Sequence, residues 1–385
     1  ADDEFDAVIV GGDGTDTLVT AAAQTLRTAD ADAAANQRQG SEIDDGTADA
    51  ANANFSLAGV EEINFTAGNL FLSASQLTGQ DISLIANGDT LGVVVDSSGG
   101  TMDMSTIDIK SGSTATLNYY GSAGVDTITG GEENETIFQT EGSDVIDGGA
   151  GTDTFTAYAS YTETGSAAAS TGVVVNMSNS ALAEATINAS DVGYLGGTQT
   201  EVAANSVVHV YAADNSSNVA ISGTIQNVEN VNGTTGADYI VGSSSDNGID
   251  GGTGADNMTG GAGIDDFFYA AGDTGLTVAA ADTITDFVSG TDTISAGTAG
   301  TTGAGTNYAE ANGSGNANLT AFITDADAAF DGTVLYYFEY NVSGAGNGYL
   351  AIDEDGDGTF NNNDNLIILS GLDAAADLDY SDIVA

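Results

Sequence analysis

The sequence has no cysteine, no tryptophan and very few basic residues. Its 385 residues include three Lys or Arg against 57 Asp or Glu, which gives a formal net charge of −54. Nucleic acids and anionic membrane surfaces are therefore excluded as partners, because they repel such a chain. The chain also repels itself and gains most from bound cations. Without cysteine no disulfide can form, so bound metal would have to supply any cross-linking.

Groups for common enzyme chemistries are equally scarce. His209 is the single histidine and Lys110 the single lysine. Nucleophilic catalysis usually needs such a base beside the nucleophile, and zinc sites with Cys and His ligands cannot be assembled. The sequence contains no H-E-x-x-H motif, and His209 lies in an alternating pattern that predicts a strand. We expect a protein that is not an enzyme, with a paired-carboxylate hydrolase as the alternative.

No signal for membrane insertion is present. No apolar run approaches the ~20 residues needed to span a bilayer, so we expect no membrane insertion. The first residues, ADDEFDAVIV, lack the basic and apolar regions of a signal peptide. They predict a chain that begins inside a longer or processed protein.

What the sequence does contain is a repeat of nine residues that is rich in glycine and acid. Residues 233–268 read GTTGADYIV, GSSSDNGID, GGTGADNMT and GGAGIDDFF, in the register G-G-x-G-x-D-x-U-x with U a large apolar residue. The U position holds Ile240, Ile249, Met258 and Phe267. The acid position holds Asp238, Asn247, Asp256 and Asp265. Four consecutive matches argue against a flexible Gly/Asp-rich linker.

Each part of the repeat has a physical role. Glycines allow a positive φ, so the chain turns tightly and directs several carbonyl oxygens to one point. The acid adds a charged oxygen, and Ca²⁺ takes six to eight such ligands. The x-U-x triplet predicts a short strand whose middle side chain points inward. Two repeats make one coil, so an ion should lie between alternate repeats, which pairs Asp238 with Asp256 and Asn247 with Asp265.

A second block of four repeats covers residues 121–156. Its acid position holds Asp126, Glu135, Asp144 and Asp153, and its U position holds Ile128, Ile137, Ile146 and Phe155. The same rule pairs Asp126 with Asp144 and Glu135 with Asp153. A single repeat at residues 11–19 adds Asp16 as a candidate ligand.

These repeats resemble the calcium-binding nonapeptides of RTX proteins. The resemblance is to secreted, non-enzymatic bacterial proteins of surface layers, extracellular filaments and adhesins. It implies a parallel β-roll that binds several Ca²⁺ ions. It also implies export through a type I channel and folding outside the cell, where millimolar calcium fills sites of Kd about 10⁻⁴–10⁻³ M.

Between the blocks the sequence predicts short strands separated by Gly, Asn, Asp or Ser. We therefore predict an all-β fold in which β-roll blocks alternate with strand modules, β-helix-like or sandwich, before a β-rich C-terminal cap. The predicted segments are 1–20 (single repeat), 21–120 (strands), 121–156 (roll), 157–232 (strands), 233–295 (roll with closing coil) and 296–385 (C-terminal domain).

The C-terminal third carries further candidate ligands. Asp282, Asp286 and Asp292 lie in a D-x-I-x-D-F-x-x-G-x-D-x-I pattern that resembles the closing coil of RTX blocks, and Asp286 and Asp292 are the candidate ligands there. Residues 353–364 have the ligand spacing of an EF-hand loop, with glycine sixth and apolar flanks that predict strands rather than helices. Its candidate ligands are Asp353, Asp355, Asp357, Thr359 and Asp364. Residues 299–315 are predicted to be a loop, and residues 335–340 a strand with a buried aromatic face.

The function predicted from these features is a calcium-dependent structural protein, extracellular or on the bacterial cell surface, that self-assembles into a layer or filament. An adhesin that binds a cell-surface glycan is one alternative. The C-terminal RTX tail of a larger secreted protein is another.

Overall fold

The computed structural model describes the conformation of most of the chain. The described residues are 17–19, 24–26, 57, 60–65, 69–95, 99–122, 124–139, 142–157, 170–183, 187, 201–211, 222–277, 279–298, 300, 307–313, 318–342, 346–374 and 377–385. Their regular structure is almost entirely strand, as the sequence predicts. None of the helices among these residues is long and apolar enough to cross a membrane.

The strands are short and follow one another through tight turns. They are β1 Thr17–Val19, β2 Gln24–Leu26, β3 Glu62–Asn64, β4 Leu70–Ser73, β5 Ile82–Ile85, β6 Asn87–Val94, β7 Thr101–Asp103, β8 Ile107–Ile109, β9 Thr114–Tyr120, β10 Thr127–Thr129, β11 Glu135–Phe138, β12 Val145–Asp147, β13 Thr154–Thr156, β14 Ser170–Asn176, β15 Leu182–Ala183, β16 Glu201–Val202, β17 Ser206–Tyr211, β18 Ser222–Gln226, β19 Asn230–Thr234, β20 Tyr239–Val241, β21 Gly248–Gly252, β22 Asn257–Thr259, β23 Asp266–Phe268, β24 Asp282–Ile284, β25 Thr293–Ser295, β26 Tyr308–Asn312, β27 Tyr336–Tyr340, β28 Asn347–Ile352, β29 Asn365–Ser370 and β30 Ile383–Val384. The helices that the structure describes in full include α1 Ala74–Leu77 and α2 Leu319–Ala329. A 3₁₀ turn spans Tyr380–Asp382.

The chain forms two compact units. Unit 1 comprises residues 1–156 and 221–228, and unit 2 comprises residues 157–220 and 229–385. The finer division into six segments stays a prediction.

Unit 1 is a parallel solenoid built from rows of stacked strands. Row A is β1-β3-β5-β8, row B is β2-β4-β6-β9-β11-β13, and row C is β7-β10-β12-β18. Its coils shorten along the chain: Leu70 pairs with Leu91, a step of 21 residues, whereas Thr136 pairs with Thr154, a step of 18. Row A ends at β8, so the solenoid becomes a two-row roll where the nonapeptides begin. The part of the predicted strand module that the structure describes is therefore β-helix-like.

Unit 2 contains the second roll. Row D is β19-β21-β23-β25-β30, and row E runs β14-β20-β22-β24-β29. Strands β14 and β17 pair antiparallel, and this places the backbone of His209 opposite Val173. Strands β27, β28 and β29 form an antiparallel meander that joins row E, because β29 pairs with β24 in parallel.

The apolar residue at the eighth position of every nonapeptide in the two blocks is buried. These residues are Ile128, Ile137, Ile146, Phe155, Ile240, Ile249, Met258 and Phe267, none more than 3% exposed. Each buried side chain of this size contributes about 1.5–3 kcal/mol. The inward stacking of these side chains fixes the register, because a slip of one residue would expose all of them.

The C-terminal region differs from the prediction in two places. Residues 308–312 form β26, paired in parallel with β27, where the sequence predicted a loop. An eleven-residue helix, α2, packs Phe322 and Ala326 into the core formed by the meander. The predicted aromatic strand is confirmed, since Tyr336, Tyr337 and Phe338 of β27 are buried.

Candidate metal centres

The acid positions of alternate nonapeptides stack directly above one another. In unit 2, Oδ1 of Asp256 accepts a hydrogen bond from the backbone N–H of Asp238 at 2.7 Å, and Oδ1 of Asp265 accepts one from Asn247 at 2.9 Å. In unit 1 the same bond joins Asp144 to the Asp126 amide at 3.0 Å. It also joins Asp153 to the Glu135 amide at 2.8 Å. The structure thus brings together all four predicted pairs.

Backbone oxygens of one coil approach the glycines of the next coil closely, because the turns are glycine-rich. Gly252 has φ +80°, and a Cβ there would lie 2.1 Å from the carbonyl oxygen of Thr234 one coil below. A Cβ on Gly254 would lie 2.4 Å from the oxygen of Gly236, and one on Gly251 would lie 2.5 Å from Oδ2 of Asp256. Carbonyl and carboxylate oxygens therefore face the space between turns, which is the donor set that Ca²⁺ prefers.

Burial makes these carboxylates unfavourable as bare anions. Desolvation raises the pKa of Asp256 to about 10, with Asp282 and Asp238 adding to the shift. Desolvation likewise raises the pKa of Asp238 to about 7, that of Asp144 to about 7 and that of Glu135 to about 8. A bound cation removes this penalty by neutralising the charge.

Several buried oxygens in the rolls lack a hydrogen-bond donor. Within the part of the chain that the structure describes, no donor reaches Oδ2 of Asp256 or Oε1 of Glu135. Buried polar atoms without a partner are rare in folded proteins and call for an explanation such as an ion. A calcium ion between the coils fits these residues.

Asn247 differs from the acids above and below it. Its Oδ1 accepts a hydrogen bond from the amide of Ser243 at 2.7 Å. Ser243 is the second residue of the same nonapeptide, and the acids of other repeats accept from the amide at that position too. Its Nδ2 donates to the carbonyl oxygen of Glu229 at 2.7 Å. The coil below presents a carbonyl here rather than an N–H, so an amide fits where a carboxylate would be repelled. Asn247 can still offer Oδ1, but Nδ2 is a donor and not a ligand.

The closing coil supplies a ligand position that our sequence assignment missed. Oδ1 of Asp282 accepts from the Asp256 amide at 2.8 Å and so continues the stack above Asp256. Asp292 does the same above Asp265, at 3.1 Å. Asp286 instead binds the amides of Gly260 and Gly261 with its two oxygens, each at 2.9 Å. Asp286 therefore stabilises a turn and does not join the stack.

The EF-hand-like loop joins two antiparallel strands, β28 and β29. Carboxylate oxygens of Asp353, Asp355 and Asp364 lie within 4.8 Å of one another. Oδ2 of Asp353 accepts from the amide of Gly358, the sixth loop residue, at 3.0 Å. Oδ1 of Asp353 is buried and, among the described residues, meets no donor. Its position beside two other carboxylates makes this loop a second candidate cation site.

Of the remaining loop residues, Asp357 and Thr359 are exposed and Asp364 is buried. Oδ1 of Asp357 accepts from the amide of Thr359 at 2.8 Å, and Oδ2 accepts from Nδ2 of Asn361 at 3.3 Å. Thr359 occupies the seventh position, which contributes a backbone carbonyl in EF-hands. Oδ1 of Asp364 accepts from Glu354 at 3.1 Å and Oδ2 from Asn361 at 2.6 Å. Asp16 lies outside the described residues.

Two family comparisons agree with this geometry. Residues 119–138 and 129–159 match the RTX calcium-binding nonapeptide repeat (4 copies), and residues 190–378 match the peptidase M10 serralysin C terminal family. No curated protein matches the chain. The fold, the stacked acids and the first match show that the chain contains RTX-type repeats in a β-roll. With its serralysin-like C-terminal region, the chain is a calcium-binding, secreted protein of the kind associated with type I export.

Proposed function

We propose that this protein is a calcium-dependent structural component that self-assembles into an extracellular layer or filament at the bacterial cell surface. We propose also that it carries no catalytic activity of its own. Calcium would fill the stacked acid sites, convert a self-repelling chain into a rigid solenoid, and so create the surfaces that associate.

The observation that carries the proposal is the open construction of the strand rows. In unit 2, row D ends at β30, and the sheet that contains row E ends at β26. Strands at a sheet edge present backbone groups that can pair with another chain. Contacts between unlike ends of identical molecules propagate without closing, which produces filaments or sheets. The surface of unit 2 also exposes large apolar side chains, including Ile264 at 59% and Val288 at 54%.

The test is a calcium titration of purified protein, followed by circular dichroism, light scattering and electron microscopy, with reversal by chelator. We expect strand content and particle size to rise together and to fall together when calcium is removed. Folding without growth at high protein concentration would refute self-assembly while leaving the calcium sites intact.

A second candidate is that the chain forms the C-terminal part of a larger secreted protein. The match of residues 190–378 to a family named for the C terminus of a peptidase favours it. Sequencing the full gene distinguishes the two candidate functions. A catalytic domain upstream of residue 1 would show that this chain is the C-terminal part of a secreted enzyme. An adhesin role would instead appear as calcium-dependent binding on a glycan array.

A further inference from the structure

Two candidate cation sites in unit 2 are joined by one short turn. The loop site consists of Asp353, Asp355 and Asp364, and the roll site consists of Asp256 and Asp282. The turn between them, residues 270–274, is called the bridge turn. It belongs to the segment that separates β23 from β24.

The bridge turn is held to the loop site by a buried asparagine. Asn365 directly follows Asp364 and is completely buried. Its Nδ2 donates to the carbonyl oxygen of Ala270 at 2.8 Å, and its Oδ1 accepts from the amide of Thr274 at 3.1 Å. Thr274 Oγ1 in turn accepts from the amide of Leu366 at 2.6 Å. Three hydrogen bonds thus fix the turn to the residues that follow the loop.

The same turn contacts the roll site. The amide of Gly254 donates to the carbonyl oxygen of Asp273 at 3.0 Å. Gly254 lies two residues before Asp256, in the turn whose oxygens face the roll site. The strand that follows the bridge turn begins at Asp282, the upper acid of that site. The bridge turn therefore contacts the lower side of the roll site and leads along the chain to the upper side.

We propose that Asn365 couples the loop site to the roll site through the bridge turn, so that an ion in either site strengthens binding in the other. The inference rests on the proposed calcium-dependent function and adds a mechanism of cooperative filling. An ion that draws Asp353 and Asp364 together fixes Asn365, and Asn365 fixes the turn beside Asp256. By linkage the effect is reciprocal.

The experiment uses the full chain loaded with terbium, which occupies oxygen-rich calcium sites. The sequence contains no tryptophan, so Thr359→Trp places a single sensitiser at the loop site and keeps the backbone carbonyl. Selective excitation of tryptophan then reports only terbium in the loop. The release of terbium from the loop site is followed after mixing with excess calcium. It is measured in the Thr359→Trp protein and in the same protein that also carries Asp282→Asn.

We expect Asp282→Asn to accelerate release from the loop about fivefold or more, the lower end of usual coupling factors. In an Asn365→Ala background release is fast already, and Asp282→Asn adds nothing. Thr274→Val removes the acceptor for the Leu366 amide without changing the size of the side chain, and is expected to weaken the coupling too. It keeps the test valid if Asn365→Ala fails to fold.

Asn230→Ala is the matched control, because Asn230 also bridges two coils of unit 2, accepting from the Gly248 amide at 2.8 Å. The effect of Asp282→Asn should survive in this variant. The inference is wrong if Asp282→Asn changes nothing, if its effect persists without Asn365, or if the loop gives no sensitised emission. Light scattering of the same samples in calcium tests assembly separately, so either proposal can fail alone.

Discussion

Single carboxylates in the rolls have opposite effects on stability with and without calcium. Asp256 has its pKa raised to about 10 by burial and by the neighbouring acids Asp282 and Asp238. A bare charge at this position opposes folding, and the same charge binds the cation when one is present. The sign of a substitution should therefore depend on the metal.

Asp256→Asn tests this reversal. We expect the variant to be more stable than the parent in chelator and less stable in saturating calcium, by more than about 1 kcal/mol each, since one pKa unit corresponds to 1.36 kcal/mol. Urea denaturation under the two conditions measures the difference. The control is Asp250→Asn. The side chain of Asp250 belongs to the preceding nonapeptide and is only half-buried, so this substitution should change stability little. A loss of stability under both conditions would contradict the interpretation.

The pH dependence of stability follows from the same shifts. Burial raises the pKa of Asp265 to about 6, those of Asp144 and Asp238 to about 7 and that of Glu135 to about 8. Because these values exceed those of the unfolded chain, protons bind the folded state more tightly. The stabilising contribution is complete below the ordinary carboxyl pKa near 4 and is lost as pH rises through about 6 to 8.

Protein freed of metal should therefore have a higher melting temperature at pH 5 than at pH 8. In calcium the order should reverse, because protons compete with the ion for the carboxylates. Thermal denaturation of desalted and calcium-loaded samples at the two pH values measures both orders. The same order in both samples would show that these acids do not bind the ion.

The glycine turns are the element that makes the sites possible. Gly252 has φ +80° and faces the Thr234 carbonyl, whereas Gly371 has φ +81° and open space where a Cβ would lie, with nothing within 4 Å. Gly371→Ala should cost only backbone strain, about 1–3 kcal/mol. Gly252→Ala should cost clearly more and weaken calcium binding, because the methyl group collides with a carbonyl. Thermal denaturation in calcium measures the loss of stability in each variant. Equal losses would show that the close approach of Gly252 to the Thr234 carbonyl oxygen is unimportant.

The loop between β28 and β29 is a candidate cation site whose ligand spacing differs from that of the nonapeptides. Asp353→Asn removes the charge of the buried carboxylate whose Oδ1 has no donor among the described residues. Isothermal titration should show the loss of about one calcium ion, with the other sites still filled. Asn362→Ala, at an exposed position of the same loop, should retain the full number. An unchanged stoichiometry in Asp353→Asn would exclude the loop as a site.

Most of the roll was predictable because its spacing is strict. A repeat of nine residues places every U residue inside the roll and every acid in one of two stacks. The buried residues and the paired acids can therefore be predicted from the sequence alone. The closing-coil pattern contains Asp282, but only the structure shows that Asp282, and not Asp286, stacks above Asp256, which lies 26 residues earlier in the chain. The role of Asn247 depends on the Glu229 carbonyl below it, which no local pattern reveals.

The C-terminal elements were less predictable for a different reason. Strand β26 is rich in small and polar residues and owes its conformation to β27, which follows 24 residues later in the chain. Helix α2 buries only Phe322 and Ala326 fully, so its apolar stripe is too narrow to stand out. In both elements, tertiary contacts decide a conformation that local propensity leaves open.

At the scale of the whole molecule, assembly should depend on exposed apolar side chains. Ile264 and Val288 are 59% and 54% exposed in unit 2. The double variant Ile264→Ser, Val288→Ser should fold in calcium as the parent does, with stability changed by less than about 0.5 kcal/mol. Light scattering should show that the double variant begins to assemble only at a protein concentration at least severalfold higher than the parent requires. Thr253→Ser is the control, and assembly that is unchanged in the double variant would place the contacts elsewhere.

The placement of β18 has a consequence for the order of folding. Strand β12 pairs on one side with β10, where Ile146 meets Ile128 at a separation of 18 residues. On its other side it pairs with β18, where Val145 meets Thr224 at a separation of 79. Closing the longer loop costs about 1.3 kcal/mol more by the logarithmic rule. Contacts of such high sequence separation form slowly, so the last coil of unit 1 should close as a late kinetic phase.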